Sequence, residues 1–189
     1  ARRPARRSVL KALYVLMVQL FVGDDCYVFV HIDDVPRTME TFGKTQQKTQ
    51  RVVVIGSGNV GLLVAQRLEA GKDRIRAKVI EKSRVRAEVA AEALERTIVL
   101  NGDGLDIALL TEGNISRADA VLAVTDDDKT NLLAAVRAKA EGCPLAIALI
   151  NDPSLVPLME PLGIDAYINP RTTTVSSILR HIRHGQVRR

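Results

Sequence analysis

Tryptophan is absent from this chain, and aromatic residues make up only 3% of its 189 positions. A core with so few rings must be filled by Val, Ile, Leu and Ala. That composition suits strands buried on both faces and favours an α/β sandwich over a β-barrel. Cysteine is nearly as scarce: Cys26 and Cys143 stand far apart with no CxxC pair. This argues against a disulfide framework or a zinc site and fits a reducing cytosol. Long apolar runs are missing too. The longest, VLKALYVLMVQLFV at 9–22, has 14 residues and contains Lys11 and Gln19, which is too short to span a bilayer. No small-residue cleavage site follows it and the chain starts without Met, so no signal peptide is expected. Acids are absent before Asp24, while Arg2, Arg3, Arg6, Arg7 and Lys11 precede it. Setting these five aside leaves the remaining basic residues equal in number to the 22 acids. The body is neutral, the arm reads as a solvated tail, and no nucleic-acid partner is expected.

What is present is enough apolar residue, 47%, to close one substantial core but not two full-sized ones. From residue 51 onward apolar runs alternate with amphipathic segments. RVVVI (51–55) is followed by Val60, Val64 and Leu68 at helical spacing, and AKVIE (77–81) by a segment with Val85, Val89 and Ala93 on one face. TIVL (97–100), a short helix carrying Leu105, Ala108 and Leu109, DAVLAVT (119–125) and a long helix at 127–141 continue the rhythm. LAIALI (145–150), a helix opened by Pro153 and DAYI (165–168) complete six strands. Gly71, Gly113, Gly142 and Gly163 sit where helices should stop, as left-handed caps. Strands joined by helices of this length connect only as right-handed parallel crossovers, so the pattern predicts a Rossmann-like doubly wound sheet of order 3-2-1-4-5-6. Ligands of such sheets bind beyond the carboxyl ends of the strands, between strands 1 and 4.

The residues flanking this rhythm read differently. GDDCYVFVHIDDVPRTMETFG (23–43) suggests one strand, 27–32, and a short helix with Val35, Met39 and Phe42 on one side. KTQQKTQ (44–50) is a polar connector. RTTTVSSILRHIRHG (171–185) suggests a helix with Val175, Ile178, Leu179 and Ile182 apolar, ending at Gly185.

The loop after strand 1, GSGNVG, carries the chemistry. Gly56 permits the turn, Gly58 lets main-chain N–H groups approach a diphosphate, and Gly61 lets the next helix pack on the strand. A phosphate placed there faces unpaired N–H groups at the positive end of a helix dipole. Glu81 closes strand 2, 20 residues after Gly61, where a carboxylate can accept hydrogen bonds from both hydroxyls of an adenosine ribose. A 2′-phosphate would be repelled, favouring NAD over NADP, although Lys82, Arg84 and Arg86 follow closely and blunt that preference. The diol is common to NAD, NADH, ATP, ADP and AMP, and the acid does not separate them. Asp103, in NGDGLD (101–106), is placed to reach the adenine side or to form a plain turn. Thr125 and Asp126 open TDDDKTN beside the glycine loop. The three aspartates 126–128 suit a divalent cation less than the N-cap and first turn of the next helix. His181 and His184 share a helix face without a carboxylate or thiolate near in sequence, so no metal site is expected. No nucleophile elbow, Ser–His–Asp set or SxxxYxxxK pair is present, which points to a sensor rather than an enzyme. An NAD-dependent oxidoreductase fragment lacking its substrate domain is the alternative, and a redox repressor binding DNA through the basic arm a third.

The segments VVVIGSGNVG, VIEKSRVRAEVAAEAL, VLNGDGLD, ADAVLAVTDDDKTNLLAA, LINDPSLVPLMEPLGID and INPRTTTVSSILRHIRHG together resemble the TrkA family. Its members are NAD-binding regulatory subunits of bacterial Trk potassium uptake systems, built on the KTN or RCK N-terminal domain. The likeness covers 51–185, and the DD-x-x-N element after strand 4 and the NPR…ILRHIRHG ending are foreign to dehydrogenases. It implies that 1–50 is the remnant of a preceding RCK C-terminal domain plus a polar linker. Residues 51–170 would be the nucleotide-binding domain and 171–189 a crossover helix. It further implies a cytoplasmic, membrane-peripheral homo-oligomer, a dimer or larger ring, docked on a membrane-embedded Trk-type transporter subunit. Carried over by position, the contacts to NAD, NADH or an adenine nucleotide fall on Gly56, Ser57, Gly58, Asn59, Val60, Gly61, Glu81, Asp103, Thr125 and Asp126. Leu149 stands where the family often has a strand 5 arginine, which removes a phosphate clamp.

Overall fold

In strand β1, Arg51–Ile55, side chains alternate between two cores: Val53 and Ile55 enter one, Val52 and Val54 the other. Such double burial requires layers of helix on both faces of a sheet. The computed structural model describes residues 30–31, 34–41 and 49–183. The chain divides into a unit at 1–47 and a larger one at 48–189.

In the first unit, helix α1 spans Val35–Thr41, with the Thr38 and Thr41 hydroxyls donating to the carbonyls of Asp34 and Arg37. Residues 30 and 31 carry no strand assignment. The rest of the strand expected at 27–32, the arm and the 9–22 run lie outside the described residues, as do Phe42 and most of the connector.

The larger unit continues with α2 (Asn59–Ala70), β2 (Arg76–Glu81), α3 (Arg84–Ala93), β3 (Ile98–Asn101) and α4 (Ile107–Glu112). Then come β4 (Ala120–Ala123), α5 (Asp128–Ala140), β5 (Ala146–Leu149), β6 (Ala166–Ile168) and α6 (Pro170–Arg183). The sheet is parallel throughout, in the order β3-β2-β1-β4-β5-β6, as the sequence pattern predicts. Strand order reverses between β1 and β4, so their carboxyl ends diverge to leave a crevice. Ile55, Ile80, Ile115 and Ile150 are fully buried, each contributing about 2 kcal/mol of transfer free energy. Among the described residues no helix is long and apolar enough to cross a membrane.

Several local expectations are corrected. Helix α3 buries Ala87 and Ala90, with Leu94 just beyond its end, and leaves Val85 and Val89 at 69% and 53% exposure; Ala93 is exposed as well. Helix α2 packs Gly61 and Ala65 together with Val64 and Leu68 of the expected face against the core, and only Val60 of that face turns outward. On α3 two stripes compete. The one with smaller side chains wins because it lets the helix approach the sheet. The segment opened by Pro153 is a 3-10 helix, Pro153–Leu158; Pro157 inside it has no N–H for an α-helical bond. Gly142 and Gly163 take positive φ, whereas Gly71 is extended and Gly113 right-handed.

Helix α6 differs from the rest. Its Val175, Ile178, Leu179 and Ile182 are 45–67% exposed, so the stripe does not pack on its own sheet.

Candidate functional site

Gly56, directly after β1, has φ +100°, a conformation other residues rarely adopt. A Cβ on it would meet main-chain and side-chain atoms of Thr125 at 3.0 Å, which is how close the β1 and β4 loops come. Gly61 has no room for any side chain: its Cβ would lie 1.9 Å from the Gly56 carbonyl oxygen. Gly58 is the opposite case. It is the N-cap of α2 at φ −63°, available to every residue, and a Cβ there would touch nothing within 4 Å. The protein's own packing does not require glycine at 58, a residue that lines the crevice between the β1 and β4 loops.

Glu81 ends β2 at the floor of this loop and is 3% exposed. Its Oε2 accepts from the Ser57 N–H at 2.7 Å and the Ser57 hydroxyl at 3.0 Å. Its Oε1 accepts from the Ser83 N–H at 2.8 Å and from Arg86 Nε and Nη2, each at 3.2 Å. Burial pushes the carboxyl up. The Ser57 and Ser83 amides, the Ser57 hydroxyl and the Arg86 charge outweigh it and hold it below its ordinary 4.5. Glu81 is therefore a buried anion at neutral pH, and Ser57 is pinned by it.

The rim is made of acids paired with bases. Asp103 accepts from the Leu105 N–H in a tight turn and pairs with Lys82 at 2.9 Å; the Lys82 bond, then the Leu105 amide, lower its carboxyl. Arg86 Nη1 lies 3.9 Å from Asp126 Oδ2. Arg84 pairs with Glu88 along α3. The three basic residues after Glu81 are all committed to acids of the chain itself.

The three aspartates divide their work. Asp126 is exposed at the rim, Asp127 caps α5 by accepting from the Thr130 N–H and hydroxyl, and Asp128 holds the amides of Asn151 and Asp152. Among the described residues no group of three or more His, Cys, Asp or Glu could hold a metal ion. His181 meets the Ser177 carbonyl, and His184 lies outside the described residues. Leu149 is core, 6% exposed.

Asn131, the Asn of the DD-x-x-N element, is a site-building residue to which the sequence reading gave no role. It is fully buried, accepts from the Thr125 N–H and hydroxyl, and donates to the carbonyls of Thr125 and Leu149. All four of its hydrogen-bonding positions are filled, which locks the β4 loop to the end of β5. An Asn within an otherwise core-facing helix stripe was the signal available.

Gly56, Gly58, Glu81, Asp103, Thr125 and Asp126 thus line one crevice of about 410 Å³, together with Lys82, Arg86, Asp127 and Thr130. Ser57 is buried against Glu81, Gly61 is packed beneath the loop, and Asn59 and Val60 open α2.

A parallel doubly wound sheet with a glycine loop and a buried acid at its switch point defines a Rossmann-type domain. Within that class the chain belongs to the TrkA-N domain family, which matches residues 52–170. The Trk system potassium uptake protein TrkA of Azorhizobium caulinodans is 41% identical over 170 residues, 90% of this chain and 37% of that protein. This chain therefore spans little more than a third of that relative's length. Among solved structures, the NAD(P)-binding domain of an exopolyphosphatase-related protein from Archaeoglobus fulgidus superposes with TM-score 0.62 at 19% identity, over 72% of this chain and 98% of that one. The Kef C-terminal domain of Shewanella denitrificans in its AMP-bound form gives 0.58 at 17% identity, over 73% and 84%. At these identities the likeness is one of fold.

Proposed function

We propose that residues 51–170 form a nucleotide-sensing regulatory domain of a Trk-type potassium uptake system. In this reading the crevice takes NAD or NADH, or an adenine mononucleotide such as ATP, ADP or AMP. The diphosphate or phosphate rests on the amides of Gly56, Ser57, Gly58, Asn59 and Val60, with Gly61 setting the helix position. Glu81 receives the ribose hydroxyls, Asp103 stands on the adenine side, and Thr125 and Asp126 close the opposite wall. The observation that carries this is the pairing of an open Cβ position at Gly58 with a buried, ionised Glu81 in the same crevice. The first has no use to the protein alone, and the second is the acceptor that a sugar diol needs. The bound molecule would alter the balance between two arrangements of paired domains and so bias a membrane-embedded pore subunit. That places the protein on the cytoplasmic face of the membrane, as a homo-oligomer. Residues 1–50 are assigned to a preceding small domain with its linker, and 171–189 to a crossover helix.

Calorimetry with NAD, NADH, ATP, ADP and AMP tests the reading. At least one is expected to bind the wild type, and Gly58→Ala, whose methyl enters the crevice, is expected to weaken it tenfold or more with the melting temperature nearly unchanged. No binding by any of the five would overturn it.

A further inference from the structure

A carboxylate has about four lone-pair positions, and in Glu81 all four are already taken. Two of the donors are main-chain amides, Ser57 N–H and Ser83 N–H, fixed by the turns that carry them. The other two are side chains, and each has somewhere else to go. The Ser57 hydroxyl lies 3.4 Å from the Arg86 carbonyl, a second acceptor for its proton. The Arg86 guanidinium is half exposed and has Asp126 at 3.9 Å across the crevice mouth. A sugar diol can reach Glu81 only by replacing these two donors, hydroxyl for hydroxyl and hydroxyl for guanidinium.

Charge adds a second constraint. The crevice is lined by the carboxylates of Glu81, Asp103, Asp126 and Asp127 against the cations of Lys82 and Arg86, and Lys82 is held by Asp103 at 2.9 Å. A phosphate entering such an acid-rich space is repelled unless a cation is released to meet it.

Resting on the nucleotide reading above, we propose that Arg86 is the specificity residue of the crevice. It occupies the sugar seat on Glu81 until a diol displaces it, and once displaced it supplies the cation that a phosphate-bearing ligand pairs with. A nucleoside displaces Arg86 towards Asp126 and itself gains no ion pair. A nucleotide displaces it and regains an ion pair, so the site selects nucleotides over the nucleosides that share their base and sugar.

The test is the ratio of AMP to adenosine affinity, measured by calorimetry on the wild type, Arg86→Ala, Arg86→Gln and Arg86→Lys. The wild type is expected to prefer AMP tenfold or more. Both neutral variants are expected to bind adenosine at least threefold tighter and to lose most of the preference. Arg86→Lys, keeping a cation on a flexible stem, is expected to retain it in large part. A merely structural arginine would change both affinities together and leave the ratio alone. An unchanged ratio in Arg86→Ala and Arg86→Gln, with AMP still bound by the wild type, overturns the role of Arg86 and leaves the nucleotide reading standing. No binding of AMP or any other nucleotide by the wild type overturns both.

Discussion

Glu81 sits below its ordinary 4.5 because main-chain amides and Arg86 favour its charged form more than burial disfavours it. A folded-state value below the unfolded one contributes stability that is fully present above the unfolded value and is lost as pH falls through the folded one. The melting temperature should therefore be flat down to about pH 5 and decline below about 4.5, and Glu81→Gln should make that decline shallower. The same substitution puts an amide NH₂ against fixed N–H donors, so a loss of about 2 kcal/mol in unfolding free energy is expected by urea titration. Asn131→Ala is expected to cost about 3 kcal/mol, since it orphans the part-buried Thr125 N–H and the buried Leu149 carbonyl. Gly61→Ala should be worse than either, because its methyl would sit 1.9 Å from the Gly56 oxygen, and insoluble or unfolded protein on expression is the outcome to look for.

At the scale of elements, carboxylates do the joining. Asp119 accepts from the Gln50 and Arg51 amides and from the Arg51 guanidinium, tying the start of β1 to the start of β4. The Arg51 side chain above all, then those amides, lower it to about 2. Asp165 holds Lys139 and the Ala146 amide, tying α5, β5 and β6 together. Helix α6 carries an apolar stripe that its own sheet does not cover. Under the proposed oligomeric assembly, that stripe is the contact with a second copy. Ile178→Asp with Ile182→Asp should then lower the molar mass measured by light scattering while leaving the crevice's nucleotide affinity within about twofold. An unchanged mass would remove α6 from the interface. The strands, their order and the glycine loop were legible because apolar runs of two-sided burial and a loop of three glycines leave few alternatives. The buried face of α3 was not, because that helix carries two apolar stripes and only the distance to the sheet chooses the smaller one; on α2 the expected Val64 and Leu68 do pack on the core and Val60 turns outward.

For the whole molecule, a ligand that binds only the folded state stabilises it by mass action. At a hundred times its Kd the gain is about 2.7 kcal/mol, which for a unit of this size corresponds to a rise in melting temperature of about 5–10 °C. Thermal scans with and without the nucleotide that calorimetry selects should show that rise in the wild type and about half of it or less in Gly58→Ala. The sequence by itself determined the parallel six-stranded sheet, the place of the crevice and the acid beside it, because strand spacing, crossover length and the glycine pattern are local properties of the chain. Tertiary structure alone decided that Glu81 is already fully bonded, that Lys82 and Arg86 are each paired with an acid, and that Asn131 locks the opposite wall. Of those contacts, Ser57 to Glu81, Lys82 to Asp103, Arg86 to Asp126 and Asn131 to Leu149 join residues that become neighbours only once the strands lie side by side, whereas Arg84 to Glu88 is an i, i+4 pair that helical spacing encodes.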